Sequence, residues 1–261
     1  MRRRGSRKNN TEYIPVFLNS FDFSAQTSSV GGFDFSPDGM RLIIVDRGSS
    51  IRVLQYDLSV AFDISTLTYA SKSFVPSLGH LRTCHYRNNG TLLIVAENGI
   101  IRKYTLSTPF DITSASSPQS FSTGKNTRGT IFVSNDGLTF INSNLTLNTI
   151  YKYETPIAWD LSGLVLTQEK QLIITTANIL GITANPIGNI FYASYASELI
   201  TQYTATNFDF TTISEAGKVL PNTLDSMGIY VKETGDKFYK TTSNTSILDC
   251  YQISDFQLKS I

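Results

Sequence analysis

Five times along this chain a short run with apolar residues meets a tight turn and is followed by a second run. The clearest copy is Gly31-Gly32-Phe33-Asp34-Phe35-Ser36-Pro37-Asp38-Gly39-Met40-Arg41-Leu42-Ile43-Ile44-Val45. Apolar residues precede the turn, Pro-Asp-Gly makes it, and a β-branched run follows, which is the pattern of a strand, a turn and a second strand. The turn glycines are Gly39, Gly90, Gly137, Gly188 and Gly235, at steps of 51, 47, 51 and 47 residues. A period of about 50 residues with strands in every unit restricts the chain to a propeller or a similar array.

Each unit reads as four strands, A to D. The first has A at Gly32–Phe35, B at Arg41–Val45, C at Ile51–Tyr56 and D at Leu67–Phe74. A second anchor keeps step with the glycines: strand C ends in Tyr56, Tyr104, Tyr153, Tyr203 and Tyr251, and an aromatic residue (Phe62, Phe110, Trp159, Phe208, Phe256) follows shortly after each. The fifth unit has too few residues after Phe256 for a strand D. Counting back from the first turn puts Phe23 in register with Phe74 and Phe121, so Tyr13–Phe23 occupies a strand D place without its own A, B and C. The expected fold is therefore all-β: a single five-bladed β-propeller of four antiparallel strands per blade, its last blade closed by the N-terminal strand, which leaves no open sheet edge at the chain ends. Residues 13–261 form the propeller and residues 1–12 an arm.

Charge is nearly balanced over the 261 residues, with 22 Lys and Arg against 21 Asp and Glu. Five of those cations, Arg2, Arg3, Arg4, Arg7 and Lys8, lie in the arm, so the body is mildly acidic. Asn9-Asn10-Thr11-Glu12 follows them instead of the apolar segment of a secretion signal, and no run approaches the length of a membrane helix. Three readings of the arm stay open: a nucleic-acid or membrane-surface contact, a solvated tail, or a dock onto an acidic patch of a larger assembly; without interleaved aromatics it does not specify nucleic acid. The two cysteines, Cys84 and Cys250, fall in non-adjacent blades, are not expected to pair, and read as small buried hydrophobes.

The longer phrase Gln55-Tyr56-Asp57-Leu58-Ser59 through Phe62-Asp63-Ile64-Ser65-Thr66, repeated as Lys103-Tyr104-Thr105-Leu106-Ser107-Thr108-Pro109-Phe110-Asp111-Ile112, resembles repeats of bacteriophage tail-fibre and related virion proteins. The third and fifth units depart from it, with Tyr153-Glu154-Thr155-Pro156 and Tyr251-Gln252-Ile253-Ser254. The resemblance implies a non-enzymatic binding or structural module of the virion, displayed for host attachment or assembly. Its implied partners are other virion proteins, through the basic arm, and a host-surface glycan or protein. A carbohydrate-active propeller enzyme and a cytoplasmic interaction scaffold are the alternatives.

The residues themselves favour binding over catalysis. Glycoside hydrolysis needs two placed carboxylates, and the five inner strands hold one, Asp34, at a position matching His85 in the next blade. His80, Cys84 and His85 are close in sequence, but Cys84 and His85 point to opposite faces of a strand, so no metal is expected, nor any cofactor. The Phe-Asp pairs (Phe62-Asp63, Phe110-Asp111, Trp159-Asp160, Phe208-Asp209) read as a plug and a turn cap. Binding is expected where the D-to-A and B-to-C loops emerge. There Ser29, His80, Thr127, Asn178 and Asp225 stand at matching positions, and with Arg82 and Arg128 they form the sequence-level candidate for a ligand site at the channel mouth.

Overall fold

A computed structural model gives the structure of the chain and describes residues 15–48, 50–77, 79–125, 130–144, 147–172, 178–196, 199–221, 226–242 and 244–253. It contains five separate four-stranded antiparallel sheets. Blade I is β2 (Val30–Phe35), β3 (Arg41–Asp46), β4 (Arg52–Leu58) and β5 (Leu67–Phe74). Blade II is β6 (Leu81–Arg87), β7 (Leu92–Glu97), β8 (Ile100–Thr105) and β9 (Gln119–Ser122). Blade III is β10 (Ile131–Val133), β11 (Thr139–Asn144), β12 (Thr149–Glu154) and β13 (Val165–Gln171). Blade IV is β14 (Ile179–Ala184), β15 (Ile190–Tyr195), β16 (Leu199–Thr206) and β17 (Asp209–Pro221). Blade V is β18 (Ser226–Val231), β19 (Lys237–Thr242) and β20 (Ile247–Gln252), and its fourth strand is β1 (Val16–Asp22). The chain is a five-bladed β-propeller, as the repeat predicts. No helix among the described residues is long and apolar enough to cross a membrane.

Closure follows the predicted route. β1 pairs antiparallel with β20 from Val16↔Gln252 to Asp22↔Ile247, with one irregularity between Phe17 and Asn19. The apolar core is divided among the five seams between blades. In the seam between blades I and II, Ile43, Val45 and Val53 pack against Leu81, Cys84, Tyr86, Leu93 and Val95. Cys250 lies in a different seam, that of blades V and I, and both thiols are free and buried. The phenylalanines that set the strand D register each meet the strand C tyrosine of the next blade. Ring centroids are 4.9 Å apart for Phe23–Tyr56, 4.8 Å for Phe74–Tyr104 and 5.7 Å for Phe121–Tyr153, all near edge-to-face. This is the favoured geometry of aromatic pairs, worth roughly 0.5–1.5 kcal/mol beyond burial.

The Phe-Asp pairs perform two linked tasks. Phe62, Phe110, Trp159 and Phe208 all take a left-handed backbone, with φ of 58°, 61°, 66° and 59°. Their amides donate to the carbonyls of Gly39, Gly90, Gly137 and Gly188, at 3.0, 2.8, 3.0 and 2.9 Å. Each ring then lies so close over that turn glycine that a Cβ there would come within 2.5 Å of it. Glycine is required both for its own positive φ and for this approach. The aspartate that follows accepts from the backbone N–H two residues on: Asp63 from Ser65 at 3.0 Å, Asp111 from Thr113 at 3.0 Å, Asp160 from Ser162 at 3.0 Å and Asp209 from Thr211 at 2.9 Å. In blades I to III this caps a 3₁₀ turn (Ile64–Thr66, Ile112–Ser114, Leu161–Gly163).

The same carboxylates also bind the preceding blade. Lys72 Nζ of β5 donates to Asp111 at 2.9 Å, Gln119 Nε2 of β9 to Asp160 at 2.9 Å and Gln168 Nε2 of β13 to Asp209 at 3.1 Å. Asn19 of β1 bonds Asp63 in the same way, so the closing strand joins the series. These bonds hold the aspartates below the usual carboxylate pKa. The Ser hydroxyl is the chief cause at Asp63 and Asp160, and the Thr211 amide at Asp209. At Asp111 burial opposes the shift and is outweighed by Thr113 and Lys72.

Gly137→Ala should destabilise the ring by about 2 kcal/mol or more, because it strains a left-handed residue and drives a methyl into the Trp159 ring. Trp159 is the chain's sole tryptophan, so its fluorescence in urea titrations reads the change directly. The depressed aspartates make a second expectation. A carboxylate with a lowered native pKa contributes stability above its unfolded value and loses it as pH falls through the native one. The urea midpoint should therefore drop as pH goes below the ordinary value of 3.8, and Asp63→Asn should shallow that drop.

Candidate functional site

The axis is lined by strand A of each blade, and residues two apart on a strand share a face. Counted back from the turn glycine, the seventh position reads Gly32, Thr83, Thr130, Gly181, Gly228, the fifth reads Asp34, His85, Phe132, Thr183, Tyr230, and the third reads Ser36, Arg87, Ser134, Asn185, Lys232. At the seventh position the strands come together backbone to side chain: a Cβ on Gly32 would lie 2.8 Å from Thr83 Oγ1, and one on Gly228 would lie 3.0 Å from the Gly32 Cα. Small residues let the inner strands approach there. At the fifth position larger side chains stand between them, and a cavity of about 530 Å³ opens toward the A-to-B turns. All five blades line it, and all five fifth-position residues are in its wall.

Blades I to III are tied together at its floor. Asp34, 4% exposed, accepts on Oδ2 from Arg87 Nη1 at 2.8 Å and from the Tyr86 amide at 3.1 Å. Arg87 Nε donates to the Val133 carbonyl at 3.1 Å. His85 Nε2 lies 2.7 Å from the Ile131 carbonyl, which can only accept, so that nitrogen carries the proton. Its Nδ1 stands 3.5 Å from Asp34 Oδ2, within ion-pair range but without a hydrogen bond. The Asp34–His85 juxtaposition expected from the repeat is present, and Arg87, two residues further along the same face, is the carboxylate's stronger partner.

Across the mouth, Asn135 Nδ2 of blade III donates to Glu233 Oε1 of blade V at 3.3 Å. Lys232 reaches Asp236 at 3.3 Å and lies 5.4 Å over the Phe62 ring. The Tyr230 hydroxyl is pushed well above its ordinary pKa by burial, with Asp34 and Glu233 adding to the effect, so it stays a neutral donor and acceptor. Among the described residues, the hydroxyls of Tyr230 and Thr183 and the Oδ1 of Asp34 take no hydrogen bond, and all three residues line the cavity. The described residues contain no group of three His, Cys, Asp or Glu placed to hold a metal.

The residues expected to form the site lie at the other end of the inner strands. Ser29, His80 and Asn178 are five residues, roughly 16 Å of strand, before the cavity ring. Each is engaged within its own blade: the Ser29 carbonyl by the Arg47 amide at 2.8 Å, the His80 amide by Glu97 Oε2 at 2.8 Å, the Asn178 carbonyl by the Ala196 amide at 2.9 Å. None lines the cavity, and neither does half-buried Arg82. Thr127, Arg128 and Asp225 lie outside the described residues, as does the arm with Arg2, Arg3, Arg4, Arg7 and Lys8. That the cavity opens at the turn end has a steric cause: the inner strands approach one another at the small seventh-position residues and stand apart toward the short turns. The signal was present in the sequence as the Gly-Thr-Thr-Gly-Gly series.

No protein-family model matches the chain, and no curated protein matches it in sequence.

Arg87→Met should cost about 3 kcal/mol or more in urea unfolding, because it strips a buried carboxylate of its cation. Asp34→Asn should then be much less harmful in the Arg87→Met background than alone, which a double-mutant cycle measures.

Proposed function

We propose that this propeller is a non-enzymatic binding module, carried on a bacteriophage tail or fibre and displayed for host attachment or assembly. The observation that carries the binding part is the contrast between frame and ring. Turn glycines, left-handed aromatics and capping aspartates repeat from blade to blade, while the five axis-facing residues of the cavity are all different. A repeated scaffold with one non-repeated concave surface suits recognition. The two carboxylates in the cavity wall support binding over hydrolysis: Asp34 is held by Arg87 and the Tyr86 amide, and Glu233 by Asn135. Glycosidase chemistry requires one such group as acid and the other as base or nucleophile. The virion setting rests on the likeness of the Gln55–Thr66 phrase and its copies to phage fibre repeats.

The purified chain, fluorescently labelled, should decorate the surface of some strains in a panel of bacteria, and its gene should stand among tail and capsid genes. A gene neighbourhood without virion genes, together with no strain decorated, would sink this reading.

A further inference from the structure

We infer that the axial cavity takes an uncharged sugar, as a monosaccharide unit or the end of a short glycan. This rests on reading the cavity as a ligand site and specifies its ligand. Charge in the cavity wall is balanced. Arg87 and Lys232 face Asp34 and Glu233 in the wall, so neither sign prevails. An anion would meet two carboxylates and would have to draw Arg87 from Asp34 at 2.8 Å or Lys232 from Asp236 at 3.3 Å, while a cation would meet two basic groups and compete with Arg87 for Asp34. A neutral ligand breaks neither.

Three blades also turn unbonded oxygen atoms toward the axis: the hydroxyls of Thr183 and Tyr230 and the Oδ1 of Asp34 take no hydrogen bond. A hydroxyl both donates and accepts, and a carboxylate oxygen only accepts. Sugar hydroxyls, which also do both, can satisfy all three, whereas an apolar ligand would bury them unpaired. Asp34 cannot turn away, because its other oxygen is fixed by Arg87 and the Tyr86 amide; the acceptor is therefore pre-aimed.

The walls are partly aromatic. Phe132 and the half-buried rings of Phe62 and Tyr230 offer aromatic surface to the apolar C–H face of a pyranose. The last two are near-parallel, at 21° with centroids 6.5 Å apart. The volume of about 530 Å³ lies within the usual range for small-ligand sites and exceeds what one hexose fills.

The test is calorimetric titration of the full chain with glucose, galactose, mannose, N-acetylglucosamine and their common disaccharides, alongside N-acetylneuraminic acid as an anionic probe and choline as a cationic one. At least one neutral sugar should bind saturably at one site per chain. Thr183→Val and Tyr230→Phe each remove a hydroxyl without changing volume much. Each should weaken that binding by about tenfold at an unchanged melting temperature. Three results would overturn the inference: no neutral sugar binds, a charged probe binds more tightly than any neutral one, or both variants bind as the parent does. Decoration of bacterial cells with no sugar binding would remove the sugar and leave the display reading standing; loss of both would remove both.

Discussion

In four blades a bulky aromatic residue is held in a left-handed backbone with its ring over a turn glycine, and most of the repeat can be derived from that contact. A non-glycine residue in this region costs roughly 1–3 kcal/mol, and the cost recurs at Phe62, Phe110, Trp159 and Phe208. What offsets it is local and concrete. The aromatic amide donates to the glycine carbonyl, the ring closes over the turn, and the next residue is released in an extended conformation with its carboxylate positioned to cap. Because the turn joins strands A and B, and the aromatic lies between strands C and D, the contact fastens the inner half of a blade to its outer half. Because the aspartate also accepts from the preceding blade, one dipeptide serves both the blade and the seam.

This explains which parts of the structure could be read in advance. Strand order, blade number, ring closure and the capping aspartates all depend on features that recur, and recurrence is visible in one sequence. Phe23, Phe74 and Phe121 gave the register of strand D because each fills the same contact against a strand C tyrosine. Non-recurrent details were not visible. β9 is only four residues long because Pro118, which has no N–H to give to the ladder, stands immediately before it. Several hairpins also carry register shifts, as between Val30 and Phe33.

The axial cavity lies at the opposite end of the inner strands from Ser29, His80 and Asn178. Loop variability drew attention to Ser29, His80 and Asn178, since variable loops on a rigid frame are a common site of recognition. Where the inner strands stand apart is decided by side-chain volume along the axis-facing row. Glycine or threonine seven residues before the turn lets the strands meet; Phe132 and Tyr230 two residues later hold them apart. Asp34 and His85 were aligned correctly, but Arg87 belongs to the same row and was passed over, because a charged residue at the mouth of a turn looks like ordinary surface until its partner is known.

The pairing of β1 with β20 has a consequence for the order in which the protein can be made. Val16–Asp22 leaves the ribosome well before its partner Ile247–Gln252, with four blades between them. While the four intervening blades are made, β1 has no edge to join, and blade V cannot exist. Blades I to IV draw all their strands from consecutive stretches and can form as they emerge, each burying a seam against its predecessor. The final event is closure of a loop that contains the other four blades. Its entropic cost grows only with the logarithm of that length, and blades already stacked in an arc bring the two ends toward each other, so the cost shrinks as they form. Until then β20 offers a bare edge to any other nascent copy nearby, and exchange of first strands between two chains would satisfy the same hydrogen bonds. A ring sealed by strands so far apart in the chain is therefore most exposed to error in the interval between the emergence of β20 and its pairing with β1.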